Sequence, residues 1–258
     1  MTSRLHATVD GPPDAPVLLL GSSLGTTAAM WQRQVPQLAE RFRVVRYDHL
    51  GHGRSAAPPG PYTIEQLGRE LLALMDDLRV SRAHHAGLSL GGMVAMWVAA
   101  RAPERVDRLA LLCTSASLGP ADMWRDRAAT VRAAGLEVIA DAVVARWFTP
   151  ALAATRPEVV AAHRAMLTAI PATGYAACCE AIAAMDLRDE LSRVRASTLV
   201  VAGADDPATP VRHARAIVER IPDARLAVLD QAAHLANVEQ PEQVSRLLSE
   251  HFEQVVSE

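Results

Sequence analysis

The chain has 258 residues, half of them hydrophobic, enough for one large α/β domain, or one domain carrying an insertion, around a substantial core. A formal charge of −3 and an aromatic content of 4% argue against a polyanion-binding surface and against base-stacking platforms, so nucleic acid is not an expected partner. Three cysteines, Cys113, Cys178 and Cys179, offer neither a disulfide framework nor a metal-ligand spacing and read as small packing residues in a reducing compartment.

In chain order, the polar start Met1-Thr2-Ser3-Arg4-Leu5-His6 lacks the apolar centre of a signal peptide. No apolar run is long enough to span a bilayer, so a soluble, cytoplasmic protein is expected. Leu5–Val9 reads as an edge strand and Val17–Leu20 as a buried one, followed by the loop Gly21-Ser22-Ser23-Leu24-Gly25 and a helix over Met30–Ala39. Next come a strand over Phe42–Tyr47, a helix over Ile64–Leu78, a strand over Arg82–Ala86, a helix over Gly92–Arg101 and a strand over Arg108–Cys113. From Gly119 to Leu187 no strand is found. This alanine-rich stretch reads as several helices separated by Gly135, Pro150, Pro157 and Pro171–Gly174. The alternation then resumes with a strand over Ser197–Ala202, a helix over Val211–Arg220, a strand over Arg225–Leu229 and a helix over Pro241–Val256, whose proline suits a first helical position.

Short apolar strands alternating with longer helices predict an α/β fold with a mostly parallel sheet. Residues 1–118 and 188–258 form the expected core, and 119–187 an inserted helical cap beside the active-site loops.

Gly87-Leu88-Ser89-Leu90-Gly91 lies between a strand and a helix, the context a nucleophile elbow requires. There a serine takes a strained backbone that points its hydroxyl outward, and the flanking glycines remove collisions in the tight turn. Serine needs a base to take its proton and an acid to orient that base, in the order serine, acid, histidine at later strand ends. Asp205 and Asp206 follow the strand ending at Ala202. His234 is the only histidine of nine that follows both serine and acid on a loop after a strand; His213 falls within a predicted helix and His251 near the end of the chain. The Leu90 amide, next after the nucleophile, is an expected oxyanion donor, with a second expected from the Gly21–Gly25 loop.

Taken together these segments resemble the α/β-hydrolase family over essentially the whole chain. Asp48-His49-Leu50-Gly51-His52-Gly53-Arg54-Ser55 resembles the family's D-x-x-G-H-G-x-S segment. Gly203-x-x-Asp206-x-x-x-Pro210 resembles its acid loop and selects Asp206 over Asp205, while Ala233-His234 with Asn237-x-x-Gln240-Pro241 resembles its histidine loop. The resemblance implies Ser89, Asp206 and His234 as catalytic residues. It also implies Leu24 as the second oxyanion donor, although Ser22-Ser23 stands where the family usually has His-Gly.

That departure, Ser22-Ser23-Leu24-Gly25-Thr26 followed by Met30-Trp31, is similar to the 3-oxoadipate enol-lactonases. So are Arg146-Trp147-Phe148-Thr149, Gly174-Tyr175 and Asp186-Leu187-Arg188, which extend the likeness into the insertion. This resemblance implies hydrolysis of a small carboxylate-bearing enol-lactone to 3-oxoadipate in aromatic-compound catabolism, with no metal or organic cofactor. Such a substrate needs a cation in an apolar pocket. Arg127, beside the helical stripe of Trp124, Ala128 and Val131, is the choice; Ser23, Trp124 and Trp147 are the other expected contacts, and Arg146 sits at the margin of an apolar face through Val143 and Val144. Asp48, His49 and His52 read as organisers of a turn, and the adjacent His84 and His85 point to opposite faces of a strand. Another carboxylesterase, a cofactor-free perhydrolase of haloperoxidase type and a slow-turnover ligand receptor are the alternatives on the same scaffold.

Overall fold

Seven strands form one sheet in the order β1-β3-β2-β4-β5-β6-β7. The computed structural model describes residues 3–253. The strands are β1 (Ala7–Asp10), β2 (Val17–Gly21), β3 (Arg43–Tyr47), β4 (Ala83–Leu88), β5 (Val106–Leu112), β6 (Ser197–Gly203) and β7 (Ala224–Leu229). Only β1 runs antiparallel, with Ala7 opposite Tyr47, so the remaining six present their C-terminal ends along one edge. Their composition explains their position. Every residue of β4 is buried, as a central strand covered on both faces requires, whereas β7 at the sheet's edge is largely half-exposed.

The helices are α1 (Val35–Leu38), α2 (Ile64–Asp77), α3 (Leu90–Arg101), α4 (Ala121–Ala134), α5 (Glu137–Val144), α6 (Pro150–Thr155), α7 (Pro157–Thr168), α8 (Ala172–Ala184), α9 (Val211–Val218), α10 (Ala236–Glu239) and α11 (Pro241–Glu253). Helix α3 packs on β2, β4 and β5 and against α2, and is apolar around nearly its whole circumference because it is buried on every side. Amphipathic α2 and α11 turn one face inward. Between β5 and β6 the chain runs through α4–α8, where α4 packs along α8, and α7 packs on α5 and α6.

The strands and the main helices of the core agree with the sequence expectation in type, with shifts at the ends; the short α10 was not expected. The helix expected over Met30–Ala39 is a correction. It divides into a 3₁₀ turn over Ala28–Trp31 and the short α1. Pro36 is the reason: it has no N–H for the carbonyl of Gln32, and its ring would strike that carbonyl in a continuous helix. Strand β4 runs to Leu88 rather than Ala86, and α3 begins at Leu90 rather than Gly92, leaving Ser89 alone between them. The last three residues of the helix expected over Pro241–Val256 lie outside the described residues. Among the described residues, no single helix is long and apolar enough to cross a membrane.

Candidate active site

Ser89 sits at the C-terminal end of β4 with φ 54° and ψ −113°, a conformation that L-residues rarely adopt. The surrounding structure holds it there. Its N–H donates to the Leu112 carbonyl at 2.9 Å, and its carbonyl accepts from Thr114 Oγ1 at 2.7 Å. Both glycines are sterically required: a Cβ on Gly87 would lie 2.2 Å from the Gly91 oxygen, and one on Gly91 would lie 2.3 Å from the Gly21 oxygen. The second contact seats the start of α3 directly on the end of β2, which brings the Gly21–Gly25 loop beside Ser89.

Asp206 and His234 come from the loops after β6 and β7. His234 Nδ1–H donates to Asp206 Oδ2 at 2.9 Å, which leaves the Nε2 lone pair available as a base. Asp206 also accepts from Thr209 Oγ1 on Oδ2 at 2.7 Å, and from the Ala208 and Thr209 amides on Oδ1 at 2.7 and 3.1 Å. Burial alone would raise its pKa, but His234 and Thr209 outweigh that effect and hold the carboxyl at about 2, so it is ionised at neutral pH. Asp205, the neighbour that spacing alone left open, is exposed and takes no part in this arrangement.

The Gly21–Gly25 loop is braced from below. His49 Nε2–H donates to the Ser22 carbonyl at 2.8 Å, and the same carbonyl accepts from the Gly91 amide at 2.9 Å. The Gly25 amide donates to His52 Nε2 at 3.0 Å, and the Ser23 amide to Met30 Sδ at 3.2 Å. Burial lowers His49 to about 4 and His52 to about 3, so both are neutral, as the accepting Nε2 of His52 requires. Asp48 accepts from the Ala28 and Arg54 amides. The Asp48–Ser55 segment thus organises the loop, as expected. With the amides on both sides of it engaged, the Leu24 amide has no partner among the described residues, and the Leu90 amide is an open N–H at the first turn of α3.

These parts open on one cavity of about 290 Å³, a size for a small molecule. Ser23, Leu24, Ser89 and His234 line one side; Trp124, Arg127 and Trp147 line it from the insertion, so all the expected contact residues reach one space. Among the other lining residues, four with polar side chains were not chosen as contacts from the sequence: Arg146, Tyr175, Arg212 and His213. His213, expected only as a helical residue, lies in the first turn of α9 with its Nδ1 2.8 Å from Ser115 Oγ. Arg127 stacks over Trp124, with Cζ 4.6 Å from the ring centroid, and reaches the Tyr175 hydroxyl. Burial, and then the charge of Arg127, lowers the pKa of Arg146. Neither arginine pairs with a carboxylate among the described residues. Two like charges held together in a partly apolar wall are costly without an anion, so the arrangement is suited to receive one.

A family model described as an alpha/beta hydrolase fold matches residues 16–241. The chain is 42% identical to 3-oxoadipate enol-lactonase 2 of Acinetobacter baylyi over 90% of its own length and 86% of that protein's. It superposes on the crystal structure of the enol-lactonase of Burkholderia xenovorans with a TM-score of 0.95 and 40% identity, covering 97% of this chain and 96% of the other. It is also 32% identical to a putative carbamate hydrolase of Stutzerimonas stutzeri, over 98% and 96% of the two chains.

Proposed function

The chain belongs to the α/β-hydrolase family, and from that premise we propose that it hydrolyses a small enol-lactone bearing a carboxylate, 3-oxoadipate enol-lactone, through an acyl-enzyme on Ser89. His234 Nε2 takes the Ser89 proton as Oγ attacks the lactone carbonyl, while Asp206 holds the imidazole and stabilises it once charged. The Leu24 and Leu90 amides receive the oxyanion. Collapse of that intermediate breaks the ring C–O bond and releases an enolate. This leaving group is better than an alkoxide, and the proton held on His234 passes to it, giving the ketone and returning the imidazole to its neutral form. The substrate stays tethered as an acyl chain until water, deprotonated by His234, cleaves it from Ser89.

The observation that carries the substrate class is the convergence of Arg127 and Arg146 in the cavity that also holds Ser89 and His234. A lactone with a carboxymethyl arm offers an electrophile to the serine and an anion to the arginines. The five helices of the insertion act as the cap that supplies this second recognition. The enol-lactonase relatives support the same reading. The carbamate hydrolase relative supports a second one, cleavage of a carbamate, but a simple carbamate carries its only carboxyl carbon at the point of attack and leaves the arginine pair without an anion. The test is multiple-turnover hydrolysis of freshly generated 3-oxoadipate enol-lactone, with Ser89→Ala as control. Rapid lactone loss that disappears in the variant is the expected result. Ser89-dependent cleavage of simple esters or carbamates, with the lactone untouched, overturns the substrate assignment and keeps the hydrolase.

A further inference from the structure

His234 is bracketed by two ties to one segment of the insertion. On its C-terminal side, the Leu235 amide donates to the Trp147 carbonyl at 2.9 Å. On its N-terminal side, the Ala233 amide donates to Glu239 Oε2 at 2.8 Å. The other oxygen of Glu239 reaches the same segment: Oε1 accepts from the Thr149 amide at 3.1 Å and from the Thr149 hydroxyl. Thr149 Oγ1 in turn accepts from the Leu152 amide at 3.2 Å and caps α6, so its single hydrogen is committed to Glu239. Trp147, two residues away, lines the cavity. One side chain therefore joins the wall that contacts the ligand to the loop that carries the base.

We infer that Glu239 is a positioning residue that locks residues 147–149 of the insertion to the His234 loop and so holds the imidazole in its working orientation. This inference rests on the proposed role of His234. The donor count makes it specific. Three donors converge on two oxygens, and only a carboxylate can accept all three. A glutamine has one oxygen, so whichever way its amide is turned, the NH₂ group meets a donor. Glu239→Gln, although the same size, should thus break the clamp as thoroughly as Glu239→Ala. The Leu235–Trp147 backbone bond persists in both variants and keeps the two segments adjacent.

The experiment compares Glu239→Gln, Glu239→Ala, Thr149→Val and Thr149→Ser by steady-state kinetics on the enol-lactone and by thermal melting. The expected result is a fall in kcat of about tenfold or more for both Glu239 variants with KM changed less than about twofold, since a small misplacement of the base costs rate rather than binding. Thr149→Val falls less, Thr149→Ser stays near the parent, and Thr149→Val adds nothing on top of Glu239→Gln because both break one unit. Parent-like kcat in Glu239→Gln overturns the inference. So does a loss shared by kcat and KM that tracks the melting temperature, which marks general loosening. If the parent chain does not cleave the lactone, the same series is read on p-nitrophenyl acetate. The kcat pattern then still decides the clamp, while the substrate reading fails separately.

Discussion

The two walls of the cavity are built by different rules. On the sheet side, Ser89, the Leu24 and Leu90 amides, Asp206 and His234 are placed by backbone: a strained turn, close glycine contacts and loops at the ends of parallel strands. On the insertion side, Trp124 and Arg127 from α4, Tyr175 from α8, and Arg146 and Trp147 from the turn after α5 are placed by how the insertion packs, the two arginines on long side chains and the three aromatics buried. The sheet wall has little freedom, because a methyl group at Gly87 or Gly91 would strike main-chain atoms. The insertion wall can change residue by residue without disturbing that turn. On the proposed function, bond-breaking chemistry falls to the rigid wall and the choice of substrate to the adaptable one.

Substitutions on the two walls should separate these roles. Ser89→Ala removes the nucleophile and should lower kcat by about 10⁴-fold or more toward every substrate, charged or neutral, with the melting temperature little changed. Asp206→Asn should cost about 10⁴-fold, again for all substrates, because the imidazole loses the partner that fixes its tautomer. Removing one insertion arginine should cost less and selectively. Arg146→Gln is expected to lower kcat/KM for the anionic lactone by about 10- to 100-fold, in line with a lost charge-assisted contact, and to leave neutral esters alone. An equal loss on neutral esters would show that the arginine serves the chemistry instead. A smaller effect is expected beneath the oxyanion loop. Met30→Leu removes the sulfur that accepts from the Ser23 amide, and should lower kcat by a few-fold on all substrates, the mark of the rigid wall.

Acid should weaken the fold through its buried histidines, several of them on the sheet side. Burial lowers His49 and His251 to about 4 and His52 and His85 to about 3. An unfolded chain would bind protons at these residues near pH 6.5, so it holds more protons than the folded one between those limits. Stability from these groups is therefore complete above about pH 6.5 and is lost as the pH falls toward 4. Asp206, held at about 2, adds a loss as the pH falls below about 4. Melting temperature followed against pH should decline through the first window, and His85→Leu should make that decline shallower. An unchanged slope would mean that His85 gains no proton on unfolding.

The same contrast explains what could be read from sequence. The elbow was legible because a positive-φ turn in close contact with main chain demands glycines at fixed offsets, and the histidine because it must leave the end of a strand; the strand-end rule left Asp205 and Asp206 open, and only the family resemblance chose between them. The central strands stood out because parallel strands covered on both faces must be apolar throughout. Pro36 broke the expected Met30–Ala39 helix, a local rule that the apolar spacing outweighed in the sequence reading. Arg146 looked like a residue at the margin of a helical face but lies in the turn after α5, and His213 like one inside a helix, because where a turn or a helix face meets a cavity depends on partners distant in sequence. Glu239 was not legible as a clamp at all, since Thr149, which supplies two of its three donors, lies 90 residues away.

The division of labour is tested most directly by pairing two enol-lactones, one bearing the carboxymethyl arm and one with a methyl group in its place. Rates of both are measured with the parent chain and with Arg127→Gln/Arg146→Gln. The parent is expected to prefer the anionic lactone strongly, and the double variant to lose that preference while keeping its rate on the neutral lactone. Equal rates on the two lactones in the parent, or a preference that survives loss of both arginines, would contradict it.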